Sequence, residues 1–458
     1  GHHLIGEGLT FGVWTAPFEV TRRAWIYEHH KDWLVHNAKG DPIPIGEVWH
    51  QKTDVLYALD TTHPGAQAYL RDTYRTLARE WGVRFIKLDF MDTTAIEGYH
   101  YRPNTTALEA QRIGLQLIRD AVGDEVVLDK DGSPMLNPVG LVDTGRISAD
   151  TGHSFERTKN AASGIAARFY MQRNFFVNDP DAFNVTATHL MERANEKSSI
   201  SLGAAEASIA LSAVSGGMYE IGDDMLVLGS EKDRLALVEN RELLNMAKVG
   251  RASTPLDLMT YDPEDGQPSI FLLRQDQRQA ILTVFNWTNT VRSHALRLSD
   301  LGLPAGHTFA ATDVLSQNAL KQNETVTLEG GAVRLENQPQ SVRVIKLIDK
   351  SVAAAAPTAT AKVPAAADAG QAISLSAQAE AGGVPAVAYH WDFGDGASAD
   401  SPKVSHAYTR AGEFTIRLTV DGVDGLPAHK IFPVKVTGKL KAHSNLTDNR
   451  RFVERTDH

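Results

Sequence analysis

The chain has 458 residues, 42% of them apolar and 22% charged, with a formal net charge of −10. That length predicts two or three domains, and the acidic balance excludes the basic face that a nucleic-acid binder needs. There is no cysteine, which excludes disulfides, thiolate metal sites and a cysteine nucleophile, and no apolar run long enough to span a membrane. The sequence begins Gly1-His2-His3 with no leader-like segment, so a secretory signal is not expected within it.

From residue 1 to about 250, short apolar runs alternate with amphipathic stretches. Leu9–Trp14, Val55–Leu59, Val83–Asp89, Glu125–Asp129 and Asn174–Val177 read as strands. Pro64–Trp81 and Thr106–Val122 read as helices, the first with Tyr69, Leu70, Thr73, Leu77 and Trp81 at helical spacing. Such alternation predicts a parallel sheet with crossover helices, and at this length a (β/α)8 barrel. Residues 251–349 read as an antiparallel β-sandwich. An Ala/Pro/Thr-rich linker is expected over 350–366, a second all-β unit over 367–438, and a polar tail over 439–458.

The chemistry concentrates at the expected strand ends. In Val83–Asp89, alternation puts Lys87 and Asp89 on one face and Leu88 and Phe90 on the other. Two inward charges there are costly unless they pair or meet a ligand. The plain alternative is a structural Lys–Asp pair capping the sheet. Arg146-Ile147-Ser148-Ala149-Asp150 repeats the basic-then-acidic pattern, and its guanidinium can bridge adjacent sugar hydroxyls. Two carboxylates escorted in this way suit a retaining glycosidase, whose carboxyl groups lie roughly 5–5.5 Å apart.

Asp129-Lys130-Asp131-Gly132 admits three readings: a calcium loop, a metal–nucleotide site, or a sugar-pocket wall at Asp131. The ligands that would complete an EF-hand are absent. Asn178-Asp179-Pro180-Asp181 suits either a turn or a site. Trp14 ends a strand and can face a sugar ring, whereas Trp25, Trp33 and Trp81 are expected in the core. The 17 histidines show no ligand-like spacing, so neither a metal site nor a cofactor is expected.

Taken in order, these motifs resemble clan D glycoside hydrolases, the α-galactosidase families 27 and 36, over nearly all of residues 8–230. Gly8-Leu9-Thr10-Phe11-Gly12-Val13-Trp14 is similar to the second barrel strand of that family, and Phe85-Ile86-Lys87-Leu88-Asp89 to its fourth. Gly132-Ser133-Pro134, Arg146–Asp150, Asn178–Asp181 and Ser215-Gly216-Gly217-Met218 resemble later landmarks. The resemblance implies a (β/α)8 TIM-type barrel lacking its first strand, with Asp89 as nucleophile and Asp150 as acid/base. Lys87 would bind the C3 and C4 hydroxyls and Arg146 the C2 hydroxyl. Trp14 would line the subsite, and Asp131 would stand near the C2 substituent. Met91 departs from the polar residue often found there, and the family's first-strand acidic pair has no counterpart.

The implied substrate is a terminal α-galactosyl residue of an oligo- or polysaccharide, with α-N-acetylgalactosaminidase or another clan D specificity as the alternative. A non-catalytic carbohydrate-binding protein is the reading from another class. Val284-Phe285-Asn286-Trp287 resembles the sandwich that follows such barrels. Tyr389-His390-Trp391-Asp392-Phe393-Gly394-Asp395-Gly396 and His406-Ala407-Tyr408 resemble a polycystic-kidney-disease (PKD) repeat, an immunoglobulin-like sandwich. It implies a buried Trp391, turn glycines at 394 and 396, polysaccharide or protein contact through that module, and secreted or periplasmic localisation in a bacterium. No nucleic-acid or membrane partner is implied.

Overall fold

A computed structural model describes residues 9–48, 51–132, 134–191, 196–315, 324–326 and 328–438. The chain divides into two compact units. The first comprises Gly1–Leu273, Leu282–Ala305 and Ala311–Lys346; the second comprises Arg274–Ile281, Gly306–Ala310 and Leu347–His458. Ser133, the residues before Leu9 and the expected tail at 439–458 lie outside the described residues.

The first unit is organised by a five-stranded, all-parallel sheet. Its strands, in spatial order, are β1 (Gly12–Thr15), β5 (Phe85–Leu88), β6 (Val127–Lys130), β7 (Thr144–Arg146) and β8 (Val177–Asp179). Eight strands closed into a barrel are not found among the described residues. β1 pairs directly with β5, Gly12 opposite Phe85. Among the described residues, no strand stands between them in this sheet. Val55–Leu59 does not join this sheet. It belongs to β4 (Gln51–Ala58), the centre of a separate antiparallel sheet with β2 (Glu19–Thr21) and β3 (Pro44–Val48). An apolar run shows that a segment is a strand, not which partner it takes.

The crossover helices form where the sequence places their caps. In α2 (Pro64–Arg79), which follows the short α1 (Trp25–His29), a first-turn proline suits the unpaired N–H positions, and Leu70, Tyr74 and Leu77 are buried. α3 (Ala107–Val122) starts at Thr106, whose hydroxyl accepts from Glu109 N at 3.2 Å, and ends at Gly123 with φ 74°. α4 (Phe155–Ala167) is capped by Ser154, and a hairpin of β9 (Thr188–Met191) and β10 (Glu196–Ser199) follows β8. α5 (Leu202–Val214) is buried along its whole length from Ala204, which an Ala- and Ser-rich sequence permits. Three short helices, α6 (Met225–Ser230), α7 (Lys232–Val238) and α8 (Arg241–Val249), close this part, and Gly250 at φ 68° ends the last. Trp25 and Trp81 are 53% and 54% exposed, not core. Trp25 instead packs against His30 at 4.7 Å on a surface aromatic cluster that includes Trp33.

The sandwich is built from β11 (Thr254–Pro255), β12 (Ile270–Arg274), β13 (Gln279–Asn286), β14 (Arg292–Arg297), β15 (Phe309–Asp313), β16 (Glu324–Val326), β17 (Leu328–Glu329), β18 (Ala332–Asn337) and β19 (Ser341–Asp349). Phe285 stacks on Trp287 at 4.5 Å and meets Phe271 edge-on at 5.7 Å. The expected Val284–Trp287 motif is thus the hub of the sandwich core.

The second unit holds an immunoglobulin-like pair of sheets: β20 (Ala359–Lys362), β22 (Ala372–Ala379) and β25 (Lys403–Ala407) against β21 (Ala366–Asp368), β27 (Pro427–Thr437), β26 (Gly412–Gly422), β23 (Ala386–Asp392) and β24 (Ser398–Ala399). Trp391 and Tyr408 are fully buried between them. Trp391 Nε1 donates to Ser401 O at 2.9 Å, and Tyr408 OH donates to Phe393 O at 3.0 Å. Gly394 and Gly396 have φ of 79° and 93°, as the turn requires. The stretch expected as a linker over 350–366 supplies β20, with Ala359 in the core. Composition alone does not reveal that alanines of this stretch pack into a core.

Glu206 makes a testable case on α5. Burial, together with Asp313, pushes its carboxyl up to about 8 against the pull of Arg234 and Arg343. The folded state therefore holds a proton that the unfolded chain releases above the ordinary value of 4.5. Stability should fall as pH rises through that window, by up to about 1.4 kcal/mol per pH unit. Glu206→Gln should leave the melting temperature nearly unchanged at pH 4 and raise it at pH 8, measured by calorimetry.

Candidate functional site

Parallel register places the charged residues in rows across the sheet. Trp14 stands opposite Lys87, and Lys87 opposite Asp129. Arg146 stands opposite Asp179. At the C-terminal ends of these strands the side chains converge.

Lys87 Nζ lies 3.4 Å from Asp179 Oδ2, 3.6 Å from Asp131 Oδ2 and 3.8 Å from Asp129 Oδ2. Burial works against its charge, but Asp179 and Asp129 outweigh it and hold the amine above its ordinary range. Arg146 is 5% exposed and spreads its fork over three carboxylates: Asp131 at 2.8 Å, Asp150 at 2.6 Å and Asp181 at 2.7 Å. Asp129 Oδ1 accepts from Thr144 Oγ1 at 2.6 Å. Burial and the charge of Asp179 push Asp129 well above the usual carboxylate range. Burial also raises Asp131, although Arg146 and Lys87 pull it down.

Asp89 sits just beyond β5 with both carboxylate oxygens occupied. Trp14 Nε1 donates to Oδ2 at 2.9 Å, and Phe90 N donates to Oδ1 at 2.6 Å. Phe90 does not continue the strand alternation. At φ 52° the chain turns, and its ring meets Trp14 edge-on at 5.9 Å. A Cβ at Gly132 would lie 3.0 Å from Asp92 Oδ1 and 3.4 Å from Asp89 Oδ1, and φ there is 53°. Gly132 therefore lets the loop after β6 close onto Asp89.

All six residues singled out in the sequence, Trp14, Lys87, Asp89, Asp131, Arg146 and Asp150, fall in this cluster. Asp131 bridges the two cations, and through Arg146 it connects with Asp150, whose side chain is 78% exposed. Met91 is fully buried, and its carbonyl accepts from Gln111 Nε2.

Several contributors carry no role in the sequence reading. Asp181, at φ 74°, accepts from Thr151 N at 2.7 Å and Thr151 Oγ1 at 2.9 Å as well as from Arg146. The Asn-Asp-Pro-Asp turn is thus a structural turn that also orients the site. Glu220 is pushed up to about 7 by burial and by Asp179, with Lys87 opposing. No local pattern around Glu220 announces it. A Cβ at Gly217 would fall 1.9 Å from Asn178 O, so the Ser215–Met218 motif reflects close packing of this segment on β8. Lys130 faces away from the row of carboxylates. Its amine donates to Arg146 O, Gly145 leaves room for its stem, and burial pushes it down to about 8.

Comparison with known proteins separates the two units. Residues 354–436 match the PKD domain family. Among solved structures, the chain is similar to a GH27 β-L-arabinopyranosidase from Geobacillus stearothermophilus, at 16% identity over 76% of each chain and a TM-score of 0.55. The two share a fold. An α-galactosidase from Thermus thermophilus matches at 26% identity and a TM-score of 0.42 over 51% of this chain. The present chain covers about half, 48%, of that protein's length. α-Galactosidase I from Mortierella vinacea matches at 12% identity over 76% of this chain and 79% of its own, with a TM-score of 0.49. The fold shared with the arabinopyranosidase supports the α/β arrangement and the sandwich that follows it.

Arg146→Met removes the cation that Asp131 and Asp181 share while keeping much of the side-chain bulk. Breaking a buried pair from one side costs about 3–5 kcal/mol, so chemical denaturation should show a loss of that order. Arg79→Met, on an exposed guanidinium, should change stability by less than about 0.5 kcal/mol.

Proposed function

We propose that the strand-end cluster is the active site of a retaining exo-acting α-glycosidase that releases terminal α-galactosyl residues. The observation that carries this reading is Asp89, with both oxygens oriented, beside a Lys87/Arg146 web that reaches Asp150. Asp89 attacks the anomeric carbon as the bond to the leaving oxygen breaks, and Asp150 donates its proton to that oxygen. A water then attacks the glycosyl-enzyme, Asp150 takes its proton, and the ester to Asp89 is cleaved. Lys87 and Arg146 offer fixed cationic donors to the ring hydroxyls, and exposed Trp14 offers an apolar face. The sugar hydroxyls would replace contacts that the two cations now make with carboxylates.

An α-N-acetylgalactosaminide or a β-L-arabinopyranoside is the alternative substrate class. The second is suggested by the arabinopyranosidase whose fold the chain shares, and it resembles galactose without C6. Secretion or periplasmic residence, and polysaccharide or protein contact by the PKD domain, belong to the same proposal.

Hydrolysis of p-nitrophenyl α-D-galactoside, with the β-L-arabinopyranoside alongside, tests the reading. Asp89→Asn should lower kcat by at least about 10³-fold. Asp150→Ala should cost far less on a nitrophenyl leaving group than on an unactivated galactoside, because nitrophenolate departs without a proton. Proton NMR should show the α-anomer first. An unimpaired Asp89→Asn would remove the nucleophile assignment, and a β-anomer formed first would exclude double displacement.

A further inference from the structure

After α5 the chain returns alongside β8. Met218 N donates to Asn178 O at 2.8 Å, Phe183 N to Glu220 O at 2.8 Å, and Gly222 N to Phe183 O at 2.9 Å. Residues 218–222 therefore run parallel to β8 and the segment that follows it, with Ile221 paired to Phe183. Alternation puts Tyr219 and Ile221 on one face, where the Tyr219 ring packs on Phe183 at 4.7 Å. The bond to Asn178 O sets Met218 beside Asp179, so Glu220, two residues on, shares the face of Asp179 and the strand-end cluster.

Glu220 differs from the other acids of the cluster in being open. Asp129 and Asp179 are fully buried; Asp129 accepts from Thr144, and Asp179 accepts from Asp181 N at 2.7 Å and Lys87 at 3.4 Å. Asp131 accepts from Gly132 N at 2.8 Å and from Arg146. Asp181 serves Arg146 and Thr151. Glu220 is partly exposed, and among the described residues its carboxyl has no hydrogen bond or ion pair. Its oxygens are not among the sealed polar atoms of the fold, so a ligand can reach them. Lys87 is reachable too, with 18% of its side chain exposed. A reachable ammonium near an open carboxyl suits a hydroxyl, whose oxygen accepts from the first and whose proton goes to the second. Burial and Asp179 raise this carboxyl, and any donor that reaches it relieves that cost.

The position narrows which hydroxyl. Lys87 acts on the charge of Glu220 more strongly than Arg146 does, so the acid lies towards the Lys87 end of the cluster. With C1 at Asp89 and C2 at Arg146, the hydroxyls left to Lys87 are those at C3 and C4, and the second is farther from Arg146. Resting on the active-site reading above, we propose that Glu220 is a specificity-determining residue whose carboxyl accepts the proton of the C4 hydroxyl that Lys87 binds. Galactose, N-acetylgalactosamine and L-arabinopyranose share one C4 configuration, so the role is common to all three substrate classes. A glucoside, with the opposite configuration, would leave the acid without its partner, which is a strong ground for rejection.

Ligand binding to Asp89→Asn protein, read by NMR titration, tests this without depending on turnover. Methyl α-D-galactoside and methyl β-L-arabinopyranoside keep the C4 hydroxyl, and the 4-deoxy analogue of the galactoside lacks it. Adding Glu220→Ala should raise Kd about fivefold or more for the tighter of the first two, and less than about twofold for the deoxy ligand. Glu220→Gln keeps the bulk and one acceptor oxygen, so its Kd should fall between, with a thermal melt no lower than the parent's. An equal loss on both kinds of ligand, or no loss on either, would overturn the inference, as would no binding of either C4-hydroxyl sugar. Binding in the expected pattern by a chain that hydrolyses neither p-nitrophenyl glycoside supports the inference and removes only the catalytic reading. Hydrolysis in which Glu220→Ala does not discriminate the C4 hydroxyl does the reverse.

Discussion

Two cations, Lys87 and Arg146, are held below the surface by carboxylates from neighbouring parallel strands, and the rest of the site is arranged around them. Five carboxylates approach them within 4 Å: Asp129, Asp131, Asp150, Asp179 and Asp181. The cluster carries more acid than base, and burial resolves the excess by pushing Asp129 and Asp131 towards their neutral forms. Replacing such a web with apolar side chains would often be neutral or stabilising. The web therefore contributes little to folding that apolar packing could not supply. Parallel pairing makes the web possible, because it brings equivalent strand ends to one edge of the sheet.

Backbone geometry then brings the web and Asp89 together. Phe90 and Asp181 adopt positive φ without being glycine, each beside a residue of the site, and Gly132 and Gly217 allow approaches that a Cβ would block. Strain concentrated at one end of a sheet is typical of sites where position matters more than local stability. In the sandwich, by contrast, the central residues Phe271, Phe285 and Trp287 are apolar and mutually packed. The PKD domain follows the sandwich pattern inside its own sheets, around Trp391 and Tyr408.

Legibility in the sequence followed the range of each interaction. Helices α2 and α3 were readable to within about two residues, since caps, prolines and periodicity act within a few positions. The PKD core was readable because Trp391, Gly394 and Tyr408 carry strongly directional constraints close together. The partner of Val55–Leu59 was not readable, because any apolar strand can pair with several others. Trp25 and Trp81 were misplaced as core because large aromatic residues also serve at surfaces. The stretch at 350–366 looked like a linker because alanine carries no signal of whether it is packed.

By itself, the sequence determined which groups were available: Lys87 and Asp89 two residues apart, Arg146 and Asp150 four apart, a tryptophan next to the end of β1, and no thiol. Those are covalent facts, and local alternation already set their approximate directions. Only the tertiary structure decided that Asp131 bridges Lys87 and Arg146, and that Asp181, held by Thr151, fixes the guanidinium. Each of those contacts joins residues brought together by strand pairing or by loop packing across long stretches of chain. Whether a charge is paired, neutralised or left open depends on burial, which no short segment encodes.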